Sequence, residues 1–220
     1  MPEPSARVAI VDYGMGNLFS VQQACAHVGL EATITAESRR LLTADAVILP
    51  GVGAFGDAMA ELTRRDLVVP LREVVASGKP VLGICLGMQL LMRESDEFGR
   101  HNGLGFIEGD VVRLTGSKVP QVGWNRIWLA NQGSWGGTLL GDIPEGTYLY
   151  FVHSFYVKPA DPAVVCATTR YGDVEFCSSV RRGPVFACQF HPERSGPAGL
   201  QMYRNFAVQV QRARLEIEHV

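Results

Sequence analysis

Three times in the first half of this 220-residue chain a short, largely apolar run stops on a glycine-rich turn. Arg7–Asp12 (RVAIVD) leads into YGMGN, Ala46–Leu49 (AVIL) into PGVG, and Pro80–Ile84 (PVLGI) into CLG. Runs this short and this apolar predict strands buried on both faces, which is the environment of a parallel sheet covered by helices. The stretches between them carry the helical period. Asn17 is placed to cap a first helix whose apolar face is Leu18, Val21, Ala24, Cys25 and Val28, with Gly29 as its stop. Helical pattern also fills 55–63 and 67–76, Glu31–Thr35 is β-prone, and a further helix is expected to open at Gly87–Met92. Strand and helix in alternation predict an α/β fold: a largely parallel central sheet with helices on both faces. The loops at 13–17, 50–53 and 83–87 then lie beyond the strand C-termini, where such sheets place their sites.

The second half reads differently. Asp110–Leu114, Val119–Gly123, Arg126–Leu129, Thr147–Val152, Ala163–Thr169, Val174–Val180 and Val185–Phe190 are strand-like and separated by turns, which predicts an antiparallel β extension of the same core. Residues 130–137 (ANQGSWGG) read as a surface loop. A last helix is expected over 198–216, with Leu200, Tyr203, Phe206, Ala207 and Val210 on one face. No repeat or long linker divides the chain, so residues 1–220 are expected to form a single domain, with 1–6 frayed.

The turn at Gly83-Ile84-Cys85-Leu86-Gly87 carries the chemistry. Glycine on either side of a cysteine, where a strand hands over to a helix, is the pattern of a nucleophile elbow, in which a sharp turn projects the central side chain above the sheet. A helix N-terminus there favours the thiolate, and the Leu86 N–H is placed to meet an oxyanion during acyl transfer. A thiolate nucleophile needs a base. His191 follows the β run Val185–Phe190, and Glu193, two residues on past Pro192, can hold the imidazole in one tautomer. Cys85, His191 and Glu193 are therefore the candidate catalytic groups. The glycines of 50–53 allow a peptide there to approach a ligand or to flip, which would supply a second oxyanion N–H. A plain tight turn is the alternative. Cys25, Cys166, Cys177 and Cys188 sit in ordinary helix or strand patterns and read as packing. His27 and His219 read as solvated and His101 as part of a polar loop, while His153, ending the run YLYFVH, is either structural or part of the site.

Several functions are disfavoured. The formal net charge is −2, which offers no surface for nucleic acid or anionic membrane. No apolar stretch is long enough to span a bilayer, and the N-terminus lacks the pattern of a secretion signal. Five cysteines without a CxxC or a neighbouring histidine cluster predict neither disulfide framework nor metal site, and suit the cytoplasm. No P-loop is present, and DYGMGN does not match GxGxxG.

GICLGMQ at Gly83–Gln89 together with QFHPE at Gln189–Glu193 resembles the class I, triad-type glutamine amidotransferases. DYGMGN (12–17), PGVGAFGDAM (50–59), VGWN (122–125), YFVHSFY (150–156) and QFHPERSG narrow the resemblance to the glutaminase subunits of imidazole glycerol phosphate synthase, over nearly the whole chain. The resemblance implies hydrolysis of glutamine through a thioester on Cys85, without cofactor or metal. Ammonia would pass to a (β/α)₈-barrel cyclase in a heterodimer, for histidine biosynthesis. It implies glutamine contacts at Gly51, Gln89, Ser154 and Phe155, an oxyanion hole from Leu86, Val52 and Gly53, and interface positions at Asn17, Trp124 and Arg194. Arg194 stands where lysine is common in the family. Two rival readings remain: the glutaminase of another amidotransferase, such as the anthranilate type, and a non-catalytic member whose cysteine senses redox state.

Overall fold

The computed structural model describes residues 6–115, 118–130 and 134–218. The first half alternates: β1 (Arg7–Val11), α1 (Leu18–His27), β2 (Glu31–Thr35), α2 (Ser38–Thr43), β3 (Ala46–Leu49), α3 (Phe55–Arg64), α4 (Val68–Ala76), β4 (Val81–Ile84) and α5 (Leu86–Leu90). The second half is mostly strand: β5 (Met92–Ser95), β6 (His101–Asn102), β7 (Ile107–Arg113), β8 (Gln121–Arg126), β9 (Trp128–Leu129), β10 (Tyr148–His153), β11 (Phe155–Pro159), β12 (Val165–Tyr171), β13 (Val174–Arg182) and β14 (Val185–Cys188). A 3₁₀ turn at Pro192–Arg194 precedes α6 (Gly196–Glu218).

Among the described residues twelve strands join one sheet, along the path β2-β1-β3-β4-β14-β13-β11-β7-β5-β6, with β12 attached to β13 and β9. From β2 to β14 the pairing is parallel. From β14 through β13 and β11 to β7 it is antiparallel. β8 and β10 form a separate antiparallel pair. The period-2 alternation divides the core between two faces. Val8 and Ile10 of β1 join α1 and α6 in one cluster, while Ala9 and Val11 join α2, α3 and α4 in the other. The expected helix-covered sheet with an antiparallel extension is therefore the architecture observed.

Local differences have physical causes. The helix after Cys85 ends at Leu90 rather than running through Met92. Leu104 N–H takes the Leu90 carbonyl (2.8 Å) and Phe106 N–H the Leu91 carbonyl (2.9 Å), and Met92 enters β5 opposite Ile107. The strand expected from Val119 begins at Gln121, because Pro120 has no N–H to give a ladder. Ala6, expected to fray, is buried, and its carbonyl accepts from Glu31 N–H at 3.1 Å. The 130–137 segment is more than surface loop. Its described part buries Trp135, whose indole N–H donates to the Cys166 carbonyl at 2.9 Å, and 131–133 lie outside the described residues. His219 also lies outside them. Helix α2 and strands β5, β6 and β11 have no counterpart among the expected elements.

Candidate active site

Cys85 is the hinge between β4 and α5, with φ +54° and ψ −110°. A non-glycine residue there carries roughly 1–3 kcal/mol of strain. Gly87 explains how the turn closes: a Cβ at that position would run into the Leu49 carbonyl at the end of β3. The elbow thus depends on helix α5 lying directly over the neighbouring strand. Because α5 has five residues, it sums few peptide dipoles, so help to a thiolate from the helix is smaller than the sequence suggests.

Strand β14, inserted parallel to β4, brings the other groups. Cys188 is in register with Ile84, and Cys85 N–H donates to the Cys188 carbonyl at 2.8 Å. Residues 189–193 are thereby delivered beside Cys85 from the far end of the chain. His191 Nδ1 lies 2.8 Å from Glu193 Oε1, and the two side chains are 5% and 1% exposed. His191 is also tied through its backbone. Its N–H donates to the Tyr150 carbonyl at 2.8 Å, and its carbonyl accepts from Ser195 Oγ at 2.6 Å. Ser195 in turn accepts from Tyr150 N–H at 3.0 Å.

Burial opposes a charge on His191, but the Cys85 sulfur, by charge and by hydrogen bonding, and then Glu193 outweigh it, and the His191 pKa is raised to about 10. Glu193 fixes the proton on Nδ1. Nε2 is buried and has no other partner among the described residues, which leaves it to the sulfur. The four remaining thiols are all raised, chiefly by burial, which fits their reading as packing.

In front of Cys85 is a pocket of about 350 Å³ lined by Val52, Gly53, Leu86, Gln89, Ser154 and Phe155, among others. It is formed where the chain leaves β10 for β11, crossing from the small sheet to the large one at Ser154. Gly51 does not line it. Gly51 is buried beneath the loop, where a Cβ would meet the Tyr13 hydroxyl, and that hydroxyl donates to the Pro50 carbonyl at 2.7 Å. The DYGMGN turn abuts the same loop: a Cβ at Gly16 would stand 3.6 Å from Gly51 Cα, and one at Gly53 would stand 3.7 Å from Met15 Cε.

Both amide hydrogens of Gln89 are occupied, by the Phe155 carbonyl (3.0 Å) and by Gln189 Oε1 (3.1 Å). Its own oxygen is what remains for a ligand. Glu97 lines the same pocket and was not foreseen, since nothing in RESDEFG marks it. Its Oε2 accepts from Phe55 N–H at 2.7 Å, at the start of α3. Two acceptors, one of them a carboxylate, suit an ammonium group. His153 also lines the pocket. Burial first, and then the charge of His191, lower its pKa to about 4 against the opposing bond from Nδ1 to the Phe155 carbonyl (2.9 Å). It is a neutral imidazole at ordinary pH, closing its alternatives toward a combined structural and pocket-wall role.

Of the interface positions, Trp124 and Arg194 meet on one residue that the sequence did not single out. Trp124 stands edge-on to Tyr150 at 6.0 Å, and the Arg194 guanidinium lies over the same ring at 4.5 Å. Trp124 is 55% exposed. Asn17 caps α1, accepting from Ser20 N–H at 3.4 Å, and α1 packs on the turn that holds Arg194.

The site therefore has a buried cysteine lining a small pocket with ammonium-type acceptors, and a buried imidazole–carboxylate pair behind it. Comparison with known proteins agrees with that chemistry. Residues 9–210 match the family model "Glutamine amidotransferase class-I". The chain is 50% identical over 203 residues to the imidazole glycerol phosphate synthase subunit HisH of Rhodopirellula baltica, covering 91% of this chain and 96% of that one. It is 48% identical over 207 residues to the HisH subunit of Moorella thermoacetica, covering 94% and 96%. In three dimensions it superposes on PurLQS from Thermotoga maritima with a TM-score of 0.70 at 21% identity, covering 97% of this chain and 99% of that one. By the extent of these matches, the chain belongs to the class I glutamine amidotransferases and, within them, to the family of HisH subunits of imidazole glycerol phosphate synthase.

Proposed function

We propose that this chain is a glutaminase that hydrolyses glutamine at Cys85 and hands the ammonia to a partner subunit. The observation that carries the reading is the strained Cys85 elbow backed by the His191–Glu193 pair at 2.8 Å. Glutamine lies in the pocket with its ammonium toward Glu97 and Gln89 Oε1. The Cys85 thiolate attacks the side-chain amide carbon, and the oxyanion is met by the Leu86 N–H and by N–H groups of the Val52–Gly53 stretch. His191, held as imidazolium, protonates the departing nitrogen, and ammonia leaves a γ-glutamyl thioester. His191 then takes a proton from water as that water attacks the thioester, releasing glutamate and the thiol. Glu193 keeps the ring in one tautomer throughout. Ser154 and Phe155 form the far wall, and Gly51 acts from beneath the loop. No step needs a metal or cofactor. A redox sensor would have no use for the His191–Glu193 pair, and an anthranilate-type role does not accord with the chain's family.

The partner is a (β/α)₈-barrel cyclase that uses the ammonia to make imidazole glycerol phosphate, in the cytoplasm. The Trp124–Tyr150–Arg194 cluster and the Asn17 end of α1 form the docking side. The DYGMGN turn links that side to the oxyanion loop through Gly16 and Met15, so partner state can reach residues 50–53 by packing alone. The chain works as one domain, with one sheet running through both halves. The test is glutamine hydrolysis by the chain alone, with the cyclase, and with the cyclase and its nucleotide ligand. Activity that rises about 10²-fold or more only in the full assembly supports the reading. Rapid hydrolysis by the isolated chain, or none in the assembly, overturns it. Trp124→Ala is expected to weaken assembly by about tenfold or more while the chain stays folded.

A further inference from the structure

The sulfur of Cys85 has a hydrogen-bond donor that neither the triad nor the oxyanion hole accounts for. Gln189 Nε2 lies 3.6 Å from Cys85 Sγ, within the range of an N–H···S bond, and Gln189 is fully buried. The register of β14 on β4 puts position 189 directly beside position 85. Gln189 and His191 alternate along the chain, so both reach the same sulfur while Phe190 packs on Phe151 at 5.6 Å.

We propose that Gln189 is a further catalytic residue of this site, its side-chain amide donating to the Cys85 sulfur and favouring the thiolate. The inference rests on the glutaminase reading above and extends it. A neutral thiol is a poor acceptor, whereas a thiolate makes the same contact a charge-assisted bond of roughly twice the strength, so the donor acts on the charged form preferentially. A neutral amide also cannot take the proton, so it does not compete with His191 for it.

The orientation of this amide is enforced. The Phe155 carbonyl can only accept, which turns Gln89 Nε2 toward it, and the other hydrogen of that nitrogen meets Gln189 Oε1 at 3.1 Å. Gln189 must then present its nitrogen to the sulfur. A flipped amide would set Oε1 against the thiolate and two NH₂ groups against each other. Gln89, which faces the ligand pocket, is thereby also the part that holds the donor in place. Since the five-residue α5 contributes little dipole, Gln189 and His191 are the groups that hold the charge.

The experiment uses Gln189→Met, of similar size but without a donor. Alkylation of Cys85 by iodoacetamide, followed by mass spectrometry across pH, is expected to be about tenfold slower than in the native chain at neutral pH, the gap closing in alkali. In the complex, glutamine-dependent kcat falls by about tenfold or more, and ammonia-dependent synthesis by the partner is unchanged. Coincident alkylation profiles overturn the proposal. If the variant does not fold, the native chain decides. The Gln189 side-chain amide resonances must shift together with the ionisation that the alkylation profile follows, and signals that stay flat overturn it. An alkylation difference between the two chains, with no glutamine hydrolysis by the native chain and its partner, would sink the glutaminase reading and leave the donor role standing.

Discussion

His191 Nδ1 and Glu193 Oε1 face each other at 2.8 Å with both side chains withdrawn from water, behind a cysteine that the fold holds at φ +54°. His191 Nδ1 is thereby occupied, and Nε2 is the ring nitrogen left for proton transfer. Cys85→Ala and His191→Asn are each expected to lower glutamine-dependent turnover of the complex by about 10³-fold or more, and Glu193→Gln, which disturbs the tautomer, by about 10²-fold. Ammonia-dependent synthesis by the partner should survive in all three. Wild-type glutamine turnover by the His191 variant would remove the imidazole from the mechanism.

Glu97 faces the pocket with a carboxylate but also receives Phe55 N–H. Glu97→Gln keeps an acceptor for that N–H and removes the charge. Its KM for glutamine is expected to rise about 30-fold, the equivalent of about 2 kcal/mol for a lost charged hydrogen bond. Melting temperature should change little. An unchanged KM would limit Glu97 to capping α3.

Gly51 has no room for a side chain because the Tyr13 hydroxyl occupies it. Gly51→Ala is expected to cost about 1–3 kcal/mol by overpacking, and Tyr13→Phe about 1 kcal/mol through loss of its bond to the Pro50 carbonyl. The double variant should lose less than the sum, because removing the hydroxyl relieves the severest clash and leaves the milder contacts with Leu86 and Gly87. Denaturant unfolding of the four proteins measures the coupling, and strict additivity would contradict it.

Stability should depend on pH with opposite slopes on the two sides of about pH 6.5. His153 is lowered to about 4 in the folded chain, so as pH falls from 6.5 toward 4 the unfolded state takes a proton that the folded state refuses, and stability is lost. His191 is raised to about 10, so its contribution is full below 6.5 and is lost as pH rises toward 10. His153→Phe should flatten the acid limb and leave the alkaline one. In Cys85→Ala the NMR titration of His191 should move to lower pH, since the sulfur is the largest influence raising it. A His191 midpoint that does not move would contradict the coupling.

Much of this was legible in the residues. Apolar runs ending on glycine announced β1, β3 and β4, because a strand covered on both faces has no polar positions to spare. The Gly–x–Cys–x–Gly spacing announced the elbow, because only a tight strand-to-helix turn demands glycine at those positions. Gln189 was within reach of the same reading, two residues before His191 on the same side of the chain. Glu97 was not, since its place in the pocket is set by β5 and by the start of α3, and neither leaves a local mark. The length of α5 was hidden too, because backbone N–H groups of the loop before β7, more than ten positions away, capture the carbonyls at its end.

By itself the sequence determined the chemistry available: a cysteine on a turn built for exposure, an imidazole with a carboxylate two residues on, and strands whose apolar faces required helices. Tertiary structure alone decided that these groups meet. The insertion of β14 beside β4 in parallel register is a long-range pairing, with its free energy coming from burying both strands at the centre of the sheet. No local pattern states which strand a run of Val, Phe, Ala and Cys will choose as its neighbour.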